Sequence, residues 1–95
     1  MYASIRRYRS NSSEEVLRRV KKGFVAIISK APGFVAYYSL NAGKGALLSV
    51  SIFETKAQAE ESNRLAAEWV KKNVAPLMAG PPEITEGEVG VHKTK

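Results

Sequence analysis

The stretch FVAYYSLNAGKGALLSVSIF, residues 34–53, holds two runs with the β-branched and aromatic content of strands, 34–40 and 46–53, around the turn-rich Asn41-Ala42-Gly43-Lys44-Gly45. It reads as a β-hairpin. In its second arm Leu48, Val50 and Ile52 alternate with Ser49 and Ser51, so one side of the strand is dry and the other admits polar groups. One sheet face must therefore be covered. Downstream, Thr55 and Gln58 stand at capping-box spacing, and the segment from Lys56 to about Asn73 is rich in Ala, Glu, Lys and Leu, all good helix formers. Its inward arc collects Ala59, Ser62, Asn63, Ala66, Trp69 and Val70. Upstream, Ser12 and Glu15 have the same capping spacing, and Val16, Leu17, Val20, Phe24, Ile27 and Ile28 recur at steps of three and four until Pro32-Gly33 stops the helix. Residues 2–9 (YASIRRYR) read as a first strand, 75–82 (APLMAGPP) as a loop, and 83–92 (EITEGEVGVH) as a last strand weakened by glycine.

The order strand, helix, strand, strand, helix, strand predicts an α+β, ferredoxin-like βαββαβ fold: a four-stranded antiparallel sheet with two helices on one face. The second sheet face is left bare with apolar residues among polar ones, which a second copy of the chain can cover. Ninety-five residues bound one small domain, 1–95, with room for a single core. With no cysteine, thiolate metal sites and thiol catalysis are excluded and a reducing, cytoplasmic setting is expected. The first ten residues lack the apolar stretch of a secretory signal, and no apolar run approaches the roughly 20 residues of a membrane span.

The net charge of +6 is carried by residues 1–30, where Arg6, Arg7, Arg9, Arg18, Arg19, Lys21, Lys22 and Lys30 face only Glu14 and Glu15. Such a basic third can attract nucleic acid through Arg6 to Lys22. Because Arg18, Arg19, Lys21 and Lys22 fall where an amphipathic helix must be polar, a solvated face is the expectation. Lys22-Gly23-Phe24 begins like an RNA-contacting strand motif, but the following residues lack stacking aromatics and have helical periodicity.

The basic first strand, PGFVAYYSL at 32–40 and SVSIFETKAQAEESNRLAAEWV at 49–70 resemble the antibiotic-biosynthesis-monooxygenase-like group of dimeric α+β barrel proteins. The resemblance spans nearly the whole chain. Its strongest piece, a PGF hairpin leading to Phe-Glu-x-x-x-x-Ala, marks fold more than chemistry. It implies a homodimer whose two sheets form a barrel, with a pocket between sheet and helices in each subunit. For function it implies a cofactor-independent monooxygenase-like protein that binds a small aromatic substrate and uses neither cofactor nor metal. The alternative from another class is a non-enzymatic ligand-binding or stress-related dimer of the same fold. Members with oxygenase activity set Asn, Trp and Tyr around the ring. Carried over, this makes Asn63, Trp69 and Tyr38 catalytic and Tyr37, Ser62 and Ala66 substrate-binding, with Asn63 and Trp69 flanking one cavity. The plainer reading of the residues makes Trp69 a core anchor and Asn63 a helix-flank residue. Haem-degrading members pair an Asn of the first strand with an axial His near the second helix; strand 2–9 has no Asn, and His92 is the only histidine.

Other constellations fail on spacing. Glu86, Glu88 and His92 share a side of an extended 83–92 strand, yet Glu88 and His92 would lie about 13 Å apart, too far for one metal shell. A serine triad has no Gly-x-Ser-x-Gly and no Asp.

Overall fold

The computed structural model describes residues 1–95. Strands β1 (Tyr2–Arg9), β2 (Phe34–Gly43), β3 (Ala46–Phe53) and β4 (Glu83–Glu88) form one sheet in the order β2-β3-β1-β4, every neighbouring pair antiparallel. The first connection carries α1 (Ser13–Arg19), a π-helical turn (Val20–Phe24) and α2 (Val25–Ser29) in continuous succession. The second carries α3 (Lys56–Asn73). This is the α+β, ferredoxin-like arrangement that the order of segments predicts. No helix is long and apolar enough to cross a membrane.

The hairpin closes through Lys44 and Gly45, whose φ angles of 54° and 79° supply the two positive values that a tight hairpin turn needs. The Asn41 side chain accepts the Gly43 N–H at 2.9 Å, and the ladder runs through Gly43, three residues beyond the run expected from the sequence. β4 instead stops at Glu88, short of the predicted 92. Its one neighbour, β1, begins at Tyr2, which lies opposite Glu88, so the following residues have no strand to pair with.

α3 starts as the sequence predicts. Thr55 accepts the Gln58 backbone N–H at 3.2 Å and the Gln58 side chain accepts the Thr55 N–H at 3.1 Å. The corresponding expectation for Ser12 and Glu15 is not met, because Ser12 makes no side-chain cap and the Glu15 carboxylate is taken by Arg18 and Arg19. Two guanidinium groups outcompete one backbone amide for the same oxygens.

The first helical stretch differs from a simple amphipathic helix at its middle. The Val25 N–H bonds to the Val20 carbonyl, five residues back, so one extra residue enters the turn. Residues four apart drift around a regular helix; the wider turn holds Val16, Phe24 and Ile28 on the buried side and leaves Ile27 exposed, contrary to its place in the expected stripe. Gly23, within this turn, lies against the indole of Trp69: a Cβ there would come within 3.1 Å of its Nε1.

One core lies between sheet and helices, built on Tyr8, Val16, Phe24, Phe53, Trp69 and neighbours. Burial of each large side chain stabilises the fold by about 1.5–3 kcal/mol. Phe24 is its hub, with ring centroids 5.7 Å from Tyr37 and 5.6 Å from Trp69. The face under the helices carries Ser4, Arg6 and Tyr8 of β1 and Leu47, Ser49, Ser51 and Phe53 of β3, so the polar side of β3 is the covered one. Its dry side, Leu48, Val50 and Ile52, lies on the face without helices, where Val50 pairs with both Ile5 and Tyr38.

Candidate functional site

Strand alternation turns Ser4, Arg6 and Tyr8 toward α3, and the third turn of α3 brings Asn63 over them. Arg6 is only 1% exposed. Its Nε donates to Ser49 Oγ at 3.1 Å, one terminal nitrogen donates to Ser51 Oγ at 2.8 Å, and the other donates to Asn63 Oδ1 at 2.7 Å. Ser4 Oγ donates to the same Asn63 oxygen at 2.6 Å. The Asn63 amide nitrogen donates in turn to Glu86 Oε2 of β4 at 3.2 Å. A cation on one side and a carboxylate on the other set the direction of this amide, since only its oxygen can face Arg6 and only its nitrogen can face Glu86.

No carboxylate approaches Arg6 within ion-pair distance; the ion pairs of the molecule involve Arg18, Arg19, Arg64 and Lys72. Taking a cation out of water costs several kcal/mol, which three hydrogen bonds to neutral oxygens, at about 1.5–3 kcal/mol each, offset. A guanidinium has five N–H donors. Three of them are taken by Ser49, Ser51 and Asn63, and the Tyr8 and Tyr37 phenols lie beside the same guanidinium.

Arg6 borders two spaces. One is a groove of about 320 Å³ between α3, β4 and the 75–82 segment, with Arg6, Tyr8 and Asn63 on its floor and Val70, Lys71 and Met78 along its sides. The other is a smaller, mostly apolar cavity of about 30 Å³ bordered by Phe24, Tyr37, Ala66 and Trp69. The groove segment is pinned by the Ser10 hydroxyl, which donates to the Leu77 carbonyl at 2.6 Å, and by the Ala79 N–H, which donates to the Arg9 carbonyl at 2.8 Å. Burial pushes the Tyr8 phenol above its ordinary range, with the Arg6 charge pulling the other way. Burial does the same to Tyr37, where Ser39 and then Arg6 oppose it. Both phenols stay neutral hydrogen-bond donors at neutral pH.

The residues singled out from the sequence separate in the structure. Asn63 lines the groove, whereas Trp69 lines the small cavity and packs on Phe24; the two do not flank one space as expected, because they leave α3 in different directions. Tyr37 and Ala66 border that same cavity. Ser62 is fully buried, and its hydroxyl donates to the Ala59 carbonyl one helical turn back. Tyr38 is 59% exposed and, as the partner of Val50, lies on the opposite face of the sheet from Asn63 and Trp69.

Arg6 is the residue that sequence reasoning missed, having been counted only as part of the basic N-terminal third. The signal was available: in YASIRRYR, Arg6 shares the phase of Tyr2 and Tyr8 and is out of phase with Arg7 and Arg9. Its burial also breaks up the basic surface considered for nucleic acid, and Arg18 and Arg19 are engaged by Glu15.

No family model matches the sequence, and none of the curated proteins matches it. Solved structures share its fold. A protein of unknown function from Nitrosomonas europaea superposes with a TM-score of 0.80 at 21% identity, covering 99% of this chain and 93% of the other. A monooxygenase from Streptomyces coelicolor, solved in complex with nanaomycin D, gives 0.76 at 14% identity and covers 99% and 92%. A cofactor-independent oxygenase from Streptomyces nogalater gives 0.72 at 12% identity and covers 99% and 97%. The chain thus has the fold of the antibiotic-biosynthesis-monooxygenase-like proteins, as its sequence resemblance implies.

Proposed function

We propose that this protein is a cofactor-independent oxygenase of small hydroxylated aromatic molecules, which bind in the groove beneath α3 with their oxyanion on Arg6. The observation that carries the reading is a buried guanidinium, bonded only to neutral oxygens and with no carboxylate partner, that borders a ring-sized groove. A cation beside a phenol lowers its pKa, and the phenolate so formed is electron-rich enough to reduce dioxygen. Overall, one phenol and one O₂ give one quinone and one water. Asn63 keeps Arg6 aimed, and Tyr8, a neutral donor at the edge of the groove, is placed to supply a proton to a peroxide. Trp69 and Tyr37 serve as packed walls rather than as reactive groups, and Tyr38 has no part in this groove.

The test is oxygen uptake by the purified protein with a panel of hydroxylated naphthalenes and anthracenes, alongside binding read from Trp69 fluorescence. Uptake that is lost in Arg6→Gln, with the fold retained by circular dichroism, supports the reading. Saturable binding without uptake from any of the panel would establish the non-enzymatic ligand-binding alternative instead. No binding and no uptake removes both.

The same reading includes a homodimer. The helix-free sheet face presents Ile5, Leu48, Val50 and Ile52, flanked by the exposed Tyr38 and Leu40, an apolar patch suited to the same patch on a second copy.

A further inference from the structure

The groove beneath α3 has Ala67, Val70, Met78, Pro81 and Ile84 in its walls, and its lining holds two charged side chains, Arg6 and Lys71. Both are cations. No acidic residue borders the groove, and Glu86, which accepts from the Asn63 amide nitrogen, stands outside its lining. Helix geometry selects Lys71 for this place. At about 100° per residue, Asn63, Ala67, Val70 and Lys71 share one arc of α3, whereas Lys72 falls about 180° from Asn63. The paired acids of α3 lie toward that far side: Glu68 accepts from Lys72 at 3.0 Å and from Arg64 at 3.1 Å, and Glu61 accepts from Arg64 at 2.7 Å. Lys71 enters none of these ion pairs. Eight residues separate it from Asn63, the residue bonded to Arg6, a rise of about 12 Å along α3. Two cations are thus set well apart along one groove, and the low-dielectric walls between them concentrate their field.

We propose that the groove selects a doubly acidic aromatic molecule: a fused-ring phenol that carries a carboxylate at the end remote from its hydroxyl, with the hydroxyl oxygen on Arg6 and the carboxylate on Lys71. The proposal rests on the reading that seats the ring in this groove and names the substrate class within it. A phenol without a second acid answers only one of the two cations. A carboxylate at the far end of the ring answers the other, while the flat body of the molecule lies on Val70, Met78 and Ile84. Lys71 suits the outer position, because its charge sits on a flexible four-carbon stem and can follow rings of different length, whereas Arg6 is held on Ser49, Ser51 and Asn63. Lys71 is therefore a specificity-determining residue: it chooses among rings and takes no part in the chemistry.

The probes are 6-hydroxy-2-naphthoic acid, its methyl ester and 3-hydroxy-2-naphthoic acid, titrated into the purified protein by calorimetry. At low salt the 6-hydroxy acid should bind about fivefold more tightly than its ester, the factor of one partly exposed ion pair, and the advantage should shrink at high salt. Lys71→Gln should remove the advantage and Lys71→Glu should reverse it. Lys72→Gln, which deletes the same charge from the same helix end but on the side facing Glu68, should leave it in place. The 3-hydroxy acid, whose carboxylate adjoins its hydroxyl, should bind Lys71→Gln as well as it binds the wild type. Equal affinity of the wild type for acid and ester, or an advantage that survives Lys71→Gln or falls equally in Lys72→Gln, overturns the proposal; oxygen uptake with the ester then leaves the oxygenase reading standing. Lys71-dependent binding of the 6-hydroxy acid without oxygen uptake supports recognition by two cations and removes the oxygenase reading in favour of ligand binding. Binding of none of the three overturns both.

Discussion

Asn63 is the residue whose replacement separates structure from function most cleanly. Asn63→Ala removes the acceptor of both Arg6 and Ser4. It should cost about 1–3 kcal/mol in denaturant unfolding, the penalty for leaving buried donors unmet. Asn63→Asp restores the acceptor and adds a negative charge beside Arg6, but it sets a second carboxylate against Glu86, so it should recover only part of that stability and abolish binding of a phenolate; equal phenolate affinity in wild type and Asn63→Asp would remove Arg6 as the proposed anion anchor. Glu15 offers a test of pH behaviour away from the site. The side chains of Arg18 and Arg19 hold its carboxyl down at about 2, from an ordinary 4.5. A folded-state pKa below the unfolded one means stabilisation that is complete above about pH 4.5 and lost as pH falls toward 2. Carbon NMR titration should place the Glu15 midpoint near 2, and high salt should move it back toward the ordinary value. The contribution is small, since the group lies at the surface.

Among the elements, α3 was the most legible. Its span, its capping box and its buried residues Ala59, Ser62, Ala66 and Trp69 follow from the spacing of residues along one segment. Loss of the Thr55 cap in Thr55→Ala should cost about 1 kcal/mol, whereas Trp69→Ala, which removes an 8%-exposed ring from the core, should cost about 3–5 kcal/mol by thermal or denaturant melting. A Trp69 loss no larger than that of Thr55 would mean that the indole is a pocket lining and not a core anchor. The first helical stretch was less legible, because its π turn is stabilised by what it packs against: Gly23 meets the Trp69 indole, and Phe24 is set between Tyr37 and Trp69. Those neighbours lie far off in sequence. The end of β4 has the same origin, since a strand extends only as far as its partner does.

At the level of the whole molecule, polar groups share the covered sheet face with the core residues Tyr8, Leu47 and Phe53, while an apolar strip lies on the open face. Serines and an arginine lie under the helices, and Leu48, Val50 and Ile52 lie outside. The covered Ser49 and Ser51 hold Arg6 in place, and the uncovered apolar strip is the face proposed for a second copy. Val50→Glu, at the centre of the open face beside Ile5 and Tyr38, should convert a dimer into a monomer in sedimentation equilibrium without changing the helical signal in circular dichroism. A wild-type protein that is monomeric at all concentrations would refute the pairing.

Local chemistry was enough to reveal the order of strands and helices, a hairpin with its turn somewhere within 41–45 and the α3 cap, because periodicity, turn residues and capping act between residues a few positions apart. The site was not legible in that way. Asn63 could be named as a polar residue on an inward arc, but its partners Ser4, Arg6 and Glu86 come from the two strands at the other side of the sheet from the hairpin. Whether Arg6 is one more solvated cation or a buried one held by Ser49, Ser51 and Asn63 depends on which face of β1 the helices cover. That choice is made by long-range packing of Phe24 and Trp69 of the helices against the sheet, so only the assembled fold decides it.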